Sequence, residues 1–191
     1  PDEEPGSPAR LLIDGAWEAD DLERRLFADP SVLAVTLIFV LPDCPISNSY
    51  VPEYNRLHAE FAPLGLPVVL VHVDPSLGPD GIRQHVLDYQ IQLPVLFDPH
   101  HAWVQLTGAT KVPEAAVLSR DKSLLYRGRI DDRHLKLGRS RPMATTHELR
   151  DALTAVLHGQ TISTARTESV GCWIPKLDTP SPRPVQPKTN D

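Results

Sequence analysis

The chain has 191 residues and a mass of 21.2 kDa, a length that fits one domain with a sizeable buried core. Its 19 basic and 25 acidic side chains leave a formal charge of −6, and no basic stripe interleaved with aromatic residues occurs, which argues against a nucleic-acid surface. The longest apolar stretch, Val32–Leu41, is interrupted by Thr36 and is too short to cross a bilayer, so no membrane span is expected.

Hydrophobic residues make up 41% of the chain, and the deficit sits at its ends. Residues 1–8 (PDEEPGSP) and 176–191 (KLDTPSPRPVQPKTND) have almost nothing to bury and read as a disordered tail and a Pro-rich tail or linker. The folded body is expected over 9–175. Ala9–Asp14 reads as a short edge strand. Asp20–Phe27 carries Leu22, Leu26 and Phe27 at helical spacing, with acidic residues at its start as the helix dipole prefers. Val32–Val40 is a continuous apolar run of strand length, the pattern of a central strand buried on both faces.

After the turn Leu41-Pro42-Asp43 comes Cys44. From Pro45 to Phe61 the pattern is helical, with Tyr50, Tyr54, Leu57 and Phe61 on one face and Pro52 expected to kink the helix. Leu66–Val73 reads as the next central strand, adjacent and parallel to the first. A helix over Ile82–Tyr89, a short strand Val95–Phe97 and a short helix Ala102–Leu106 follow. Ala115–Ser119 and Leu124–Ile130 flank a turn at Arg120–Ser123 and are expected to pair antiparallel. Residues 131–144 read as a charged loop. Thr145-x-x-Glu148 resembles a capping box that opens a last helix ending at Gly159. The order β-α-β-α-β-α-β-β-α points to an α/β protein with a central mixed sheet flanked by helices.

Only two cysteines occur, Cys44 and Cys172, a scarcity compatible with an oxidising compartment. Cys44 lies where a buried strand gives way to a helix. Unpaired backbone N–H groups and the positive end of the helix dipole lower a thiol pKa there, and the thiolate is the nucleophile toward disulfides and peroxides. The alternative is an ordinary buried cysteine, but a Pro-flanked turn at a strand end is not the usual place for one.

Cys44-Pro45-Ile46-Ser47 resembles the C-P-x-C motif of thioredoxin-like proteins, with Ser47 in the second cysteine position. Pro52 matches the helix-kinking proline of that fold, and Val112-Pro113 resembles its cis-proline, which faces the active cysteine. Residues 86–98 and 115–130 are similar to segments of membrane-anchored thiol reductases and of the alkyl hydroperoxide reductase/thiol-specific antioxidant group, the redoxins. The resemblance covers roughly 30–158. It implies a thioredoxin-like fold, thiol-based oxidoreductase or antioxidant activity with no cofactor, a thiol, disulfide or peroxide as substrate, and a catalytic set of Cys44, Cys172 and Pro113. Proteins with such a module are often multidomain and exported to the periplasm or cell surface, with the C-terminal tail as a linker to a further domain.

The pattern departs from the family twice. Peroxiredoxins carry P-x-x-x-T-x-x-C, which would place Thr at position 41, where this chain has Leu41. Ser47 excludes a local dithiol cycle. Cys172 lies 128 residues after Cys44, in the apolar patch Val170–Ile174 of an otherwise polar tail, and Gly171 allows close backbone approach. Three readings stand open: a resolving cysteine, a permanent Cys44–Cys172 staple, or a cysteine that never meets Cys44. Residues 160–171, extended at about 3.3 Å each, reach roughly 40 Å, enough to cross the domain. In that case Trp173 and Ile174 are expected to pack beside Cys44 and shield it.

The opposing class is a non-catalytic redoxin-fold scaffold holding a structural disulfide. A copper site from Cys44, Cys172 and His134 is the third reading, but the eight histidines read mainly as surface residues and no metal site is expected. Asp131, Asp132 and Arg133 read as a salt-bridged surface loop.

Overall fold

Seven consecutive buried residues, Ala34–Val40, form β1, and a strand with no polar face must be covered on both sides. The computed structural model, which describes residues 19–177, puts it at the centre of the sheet. The tail 1–8, the edge strand expected at Ala9–Asp14 and residues 178–191 of the expected linker lie outside the described residues. β2 (Val68–His72) pairs parallel with β1, and β3 (Val95–Phe97) pairs parallel with β2. On the other side β5 (Glu114–Ser119) runs antiparallel to β1, and β6 (Leu124–Gly128) antiparallel to β5, so the strand order is β3-β2-β1-β5-β6. The short strand β4 (Lys111–Val112) lies outside this sheet.

The pleat divides the strands' side chains between two cores. On one face Ala34, Ile38 and Val40 join a buried cluster with Tyr54, Leu57 and Phe61 of α3 (Val51–Phe61), Ile82 and Val86 of α4 (Pro79–Tyr89), and Leu149 and Leu153 of α6 (Glu148–Leu157). On the other, Val35, Leu37 and Phe39 join Leu22 of α1 (Ala19–Leu22), Phe27 of the wide helical turn that continues it, and Trp103 of α5 (Ala102–Thr107). Each such side chain contributes roughly 1.5–3 kcal/mol by leaving water.

The helix expected over Pro45–Phe61 is two helices, α2 (Pro45–Ser49) and α3, separated at Tyr50. Pro52 has no N–H to give the Asn48 carbonyl, which instead receives the Tyr50 N–H. The break therefore falls before the proline instead of kinking a continuous helix. The strand expected to reach Ile130 ends at Gly128, because the returning tail crosses there: a Cβ on Gly128 would lie 1.9 Å from Thr167 Oγ1.

The capping box is not formed. Thr145 gives both its N–H (2.6 Å) and its hydroxyl to Asp132, and Glu148 turns its carboxylate to Arg129 and Thr146, so α6 starts at Glu148. The loop 131–144 contains a small hairpin, β7 (His134–Lys136) with β8 (Arg139–Ser140). Asp131 and Asp132 at its root are 7% and 5% exposed, buried rather than solvated. Asp131 accepts from the Tyr50 hydroxyl and the Arg133 N–H. Asp132 accepts from Thr145 and Thr146 and pairs with Arg141 at 3.4 Å. Ionised carboxylates survive burial only with such donors. The run of like charge in the sequence concealed that these two acids organise the loop internally.

Candidate functional site: two thiols beneath a returning tail

β1 delivers the chain to a tight turn, closed by the Cys44 N–H on the Leu41 carbonyl at 3.1 Å, and α2 opens with Pro45 at its first position. Cys44 occupies the N-cap in an extended conformation and is fully buried. Ser47, one turn on, is 1% exposed, and its hydroxyl has no hydrogen-bond partner among the described residues. Burial pushes the Cys44 thiol up. Donation from Cys172, from the Ser47 N–H and from the Ser47 hydroxyl outweighs it, holding Cys44 below the ordinary thiol value.

The wall facing Cys44 comes from Val112 and Pro113, joined by a cis peptide bond. The Cys44 thiol lies 3.5 Å from the Val112 carbonyl. Glu114 fixes this segment by accepting from the N–H groups of Thr110 (2.8 Å) and Lys111 (3.1 Å), and Arg127 sits 3.4 Å from its carboxylate.

The third component comes from the far end of the chain. The tail pairs with the end of β6, through Arg127 N–H to Ala165 O (3.0 Å) and Thr167 N–H to Arg127 O (3.1 Å). It then forms β9 (Cys172–Trp173), antiparallel to β4, with Cys172 opposite Val112 and Trp173 opposite Lys111. Gly171 presses on the Val112–Pro113 peptide: a Cβ there would stand 1.8 Å from the Val112 oxygen, so only glycine permits this docking. Lys111 ties the tail down by donating to Ser169 O (3.1 Å) and Glu168 (3.3 Å), with its ammonium over the Trp173 ring.

The result is a Sγ–Sγ distance of 2.8 Å between Cys44 and Cys172, both as free thiols, whereas a disulfide bond measures about 2.05 Å. Burial raises the Cys172 thiol first, and its donation to Cys44 and the nearby Cys44 charge add to this, to about 12. One sulfur is thus prepared as a thiolate and its neighbour as the proton donor beside it.

The structure brings Cys44, Cys172 and Pro113 to one place. It does not use Trp173 as expected: the indole is 71% exposed on the outer face of β9, and Ile174 alone turns in to pack on the core. Strand alternation explains this, since residues flanking an inward cysteine must point out. His134 packs on the Tyr50 ring and meets the Ser49 hydroxyl at 3.3 Å. Among the described residues no group of three His, Cys, Asp or Glu is placed to hold a metal ion, so the copper reading has no geometric support.

Several histidines are internal rather than on the surface. His101 is buried and donates to Val73 O at 2.7 Å. His72 and His85 are buried and bonded to each other at 2.8 Å, His85 bonds Asn48 at 2.9 Å, and Asn48 donates to Pro42 O at 2.7 Å. This chain braces the Cys44 turn from behind. Sequence reading missed it, although a histidine at the end of the apolar run Leu66–Val73 was the available signal.

A five-stranded mixed sheet between helices, with a cysteine at the first strand-to-helix junction facing a cis-proline, defines a thioredoxin-like protein. The sequence profile of the AhpC/TSA family matches residues 22–127, more than half of the chain, and the chain belongs to that family. It is thereby classed with the thiol oxidoreductases. Solved structures of the same fold include an uncharacterised conserved protein from Geobacillus kaustophilus, with 24% identity over 77% of this chain and 79% of that one (TM-score 0.64). A hypothetical protein from Sinorhizobium meliloti 1021 is also 24% identical, over 75% of this chain and 80% of that one, with a TM-score of 0.64. A Chlorobium tepidum protein titled as a thiol:disulfide interchange protein DsbE is 22% identical over 66% and 82% of the two chains, with a TM-score of 0.52. No curated protein sequence matches.

Proposed function

We propose that the protein is a thiol–disulfide oxidoreductase in which Cys44 is the nucleophile and Cys172 the resolving cysteine. The 2.8 Å contact between the two sulfurs carries this reading. The Cys44 thiolate attacks one sulfur of a substrate disulfide, forming a mixed disulfide and expelling the other sulfur as a thiolate. Cys172 gives up its proton and attacks the Cys44 sulfur, releasing the second substrate thiol and closing a Cys44–Cys172 bond. Once Cys44 is in the mixed disulfide its negative charge is gone, and with it part of what holds the proton on Cys172. Pro113 shapes the groove against which substrate lies.

The same pair can act on a peroxide. Cys44 then becomes a sulfenic acid, and condensation with Cys172 expels water. Leu41 supplies no hydroxyl to position a peroxide, which favours the disulfide as substrate. Complete burial of Cys44 favours a second reading, a redoxin-fold scaffold locked by a structural disulfide. Export to an oxidising compartment and a further domain beyond the Pro-rich tail belong to the same proposal, supported by the scarcity of cysteine and by tail composition.

Turnover of a small disulfide with a dithiol reductant tests the function. Wild type should turn over, Cys44→Ser should be inactive, and Cys172→Ser should stall as a mixed disulfide on Cys44. A wild type that forms the internal disulfide yet never turns over would establish the scaffold instead.

A further inference from the structure

We propose that reducing equivalents enter through Cys172 rather than Cys44: a small thiol bearing carboxylates docks in the groove between the β7–β8 hairpin and the tail strand, and attacks the Cys172 sulfur of the Cys44–Cys172 disulfide. This rests on the thiol–disulfide reading above and names the electron donor it leaves open.

Access comes first. Cys44 has no exposed surface, whereas Cys172 is only partly buried. Thiol–disulfide exchange needs the three sulfurs nearly in line, so a thiol attacking Cys172 approaches from the side facing away from Cys44, which is outward. A thiol attacking Cys44 would have to come through the core or strip the tail away.

The groove supplies the docking site. It has a volume of about 560 Å³, the size of a small-molecule site, and is lined by both neighbours of Cys172, Gly171 and Trp173. Lys111, Arg129 and Lys136 line it against one carboxylate, Glu168, an excess of positive charge on a chain whose formal charge is −6. Lys111 pairs with Glu168 and Arg129 with Glu148, while Lys136 has no ion pair among the described residues. Exposed Leu135, Leu137 and Trp173 provide the apolar walls. Carboxylates meeting Lys111 and Lys136, with an aliphatic body between them, fit this lining.

Leaving-group chemistry agrees. Exchange is faster when the departing sulfur is the more acidic one, and Cys44 is the sulfur held below the ordinary value. The donor thiolate forms a bond to Cys172 and the S–S bond breaks with its electron pair going to Cys44, which departs as a thiolate. A second donor thiolate then attacks the donor sulfur, releasing Cys172, which takes up a proton. Two donor thiols become one disulfide and the protein disulfide becomes two thiols.

The test uses the full chain, oxidised and verified by intact mass, against glutathione (anionic), 2-mercaptoethanol (neutral) and cysteamine (cationic). Rates are normalised to those of the same thiols on a small linear disulfide. At low salt glutathione should exceed cysteamine by about tenfold, and the margin should shrink as salt screens the groove. Lys136→Glu should slow glutathione several-fold and leave 2-mercaptoethanol unchanged. Acid quenching and peptide mapping should find the glutathione adduct on Cys172. An adduct on Cys44, or equal normalised rates for the three thiols, would overturn the proposal while leaving the thiol–disulfide reading intact. Failure of the protein to form the Cys44–Cys172 disulfide at all would overturn both.

Discussion

The two sulfurs at the site are held by very different means. Cys44 follows a seven-residue strand whose every side chain is buried, and its turn is backed by α2 and by the Asn48–His85–His72 chain. Cys172 is held by a two-residue strand, a lysine and a glycine contact. β1 alone buries several large side chains at roughly 1.5–3 kcal/mol each, whereas the tail adds a few hydrogen bonds at about 1 kcal/mol each. The inner thiol is therefore fixed on the timescale of global unfolding and the outer one on that of local opening. Such an arrangement lets one sulfur remain a prepared nucleophile while the other arrives and departs.

The sharpest way to break this contrast is to free the tail without touching either thiol. Gly171→Val puts a side chain where the Val112 carbonyl already lies. The Cys44–Cys172 disulfide should fail to form, and Cys44 alkylation should accelerate by at least about tenfold. Stability should fall by only about 1–2 kcal/mol in chemical denaturation, since the core is untouched. A loss of the whole fold would mean that the tail is structural rather than a docked segment.

Stability against pH separates the inner brace from the tail. Burial, and then His85, lowers His72 to about 3 from 6.5, so it folds neutral while the unfolded chain binds a proton. Stability is fully present above pH 6.5 and should decline as pH falls toward 3, by an amount on the order of 4 kcal/mol. His72→Leu should flatten that decline in denaturation series at several pH values, whereas Gly171→Val should leave its slope unchanged.

The smallest effect concerns the nucleophile itself. In the reduced protein the midpoint of Cys44 alkylation should lie below that of an ordinary thiol, and both Cys172→Ser and Ser47→Ala should raise it by about one unit, through loss of a sulfur-directed donor. Unchanged midpoints in both variants would place the control of Cys44 elsewhere.

The same contrast explains what the sequence disclosed. β1, β2 and the β5–β6 hairpin were legible because unbroken apolar runs and a four-residue turn leave few alternatives, and Cys44 was legible from its place at the end of such a run. The resemblance, not periodicity, pointed to Pro113. β9 was not readable, since two residues pairing across 60 positions produce no pattern, and only Gly171 beside Cys172 hinted at a close approach. Asp131, Asp132 and the false capping box at Thr145 misled because charge and motif report local chemistry, whereas their partners lie in other elements.

A redox titration of the reduced chain in thiol–disulfide buffers, followed by intact mass after alkylation, tests the pairing of the two thiols most directly. The account predicts one two-electron transition in which Cys44 and Cys172 are lost together, and its disappearance in either single-cysteine variant. Two cysteines that remain independently alkylatable across the whole range would contradict it.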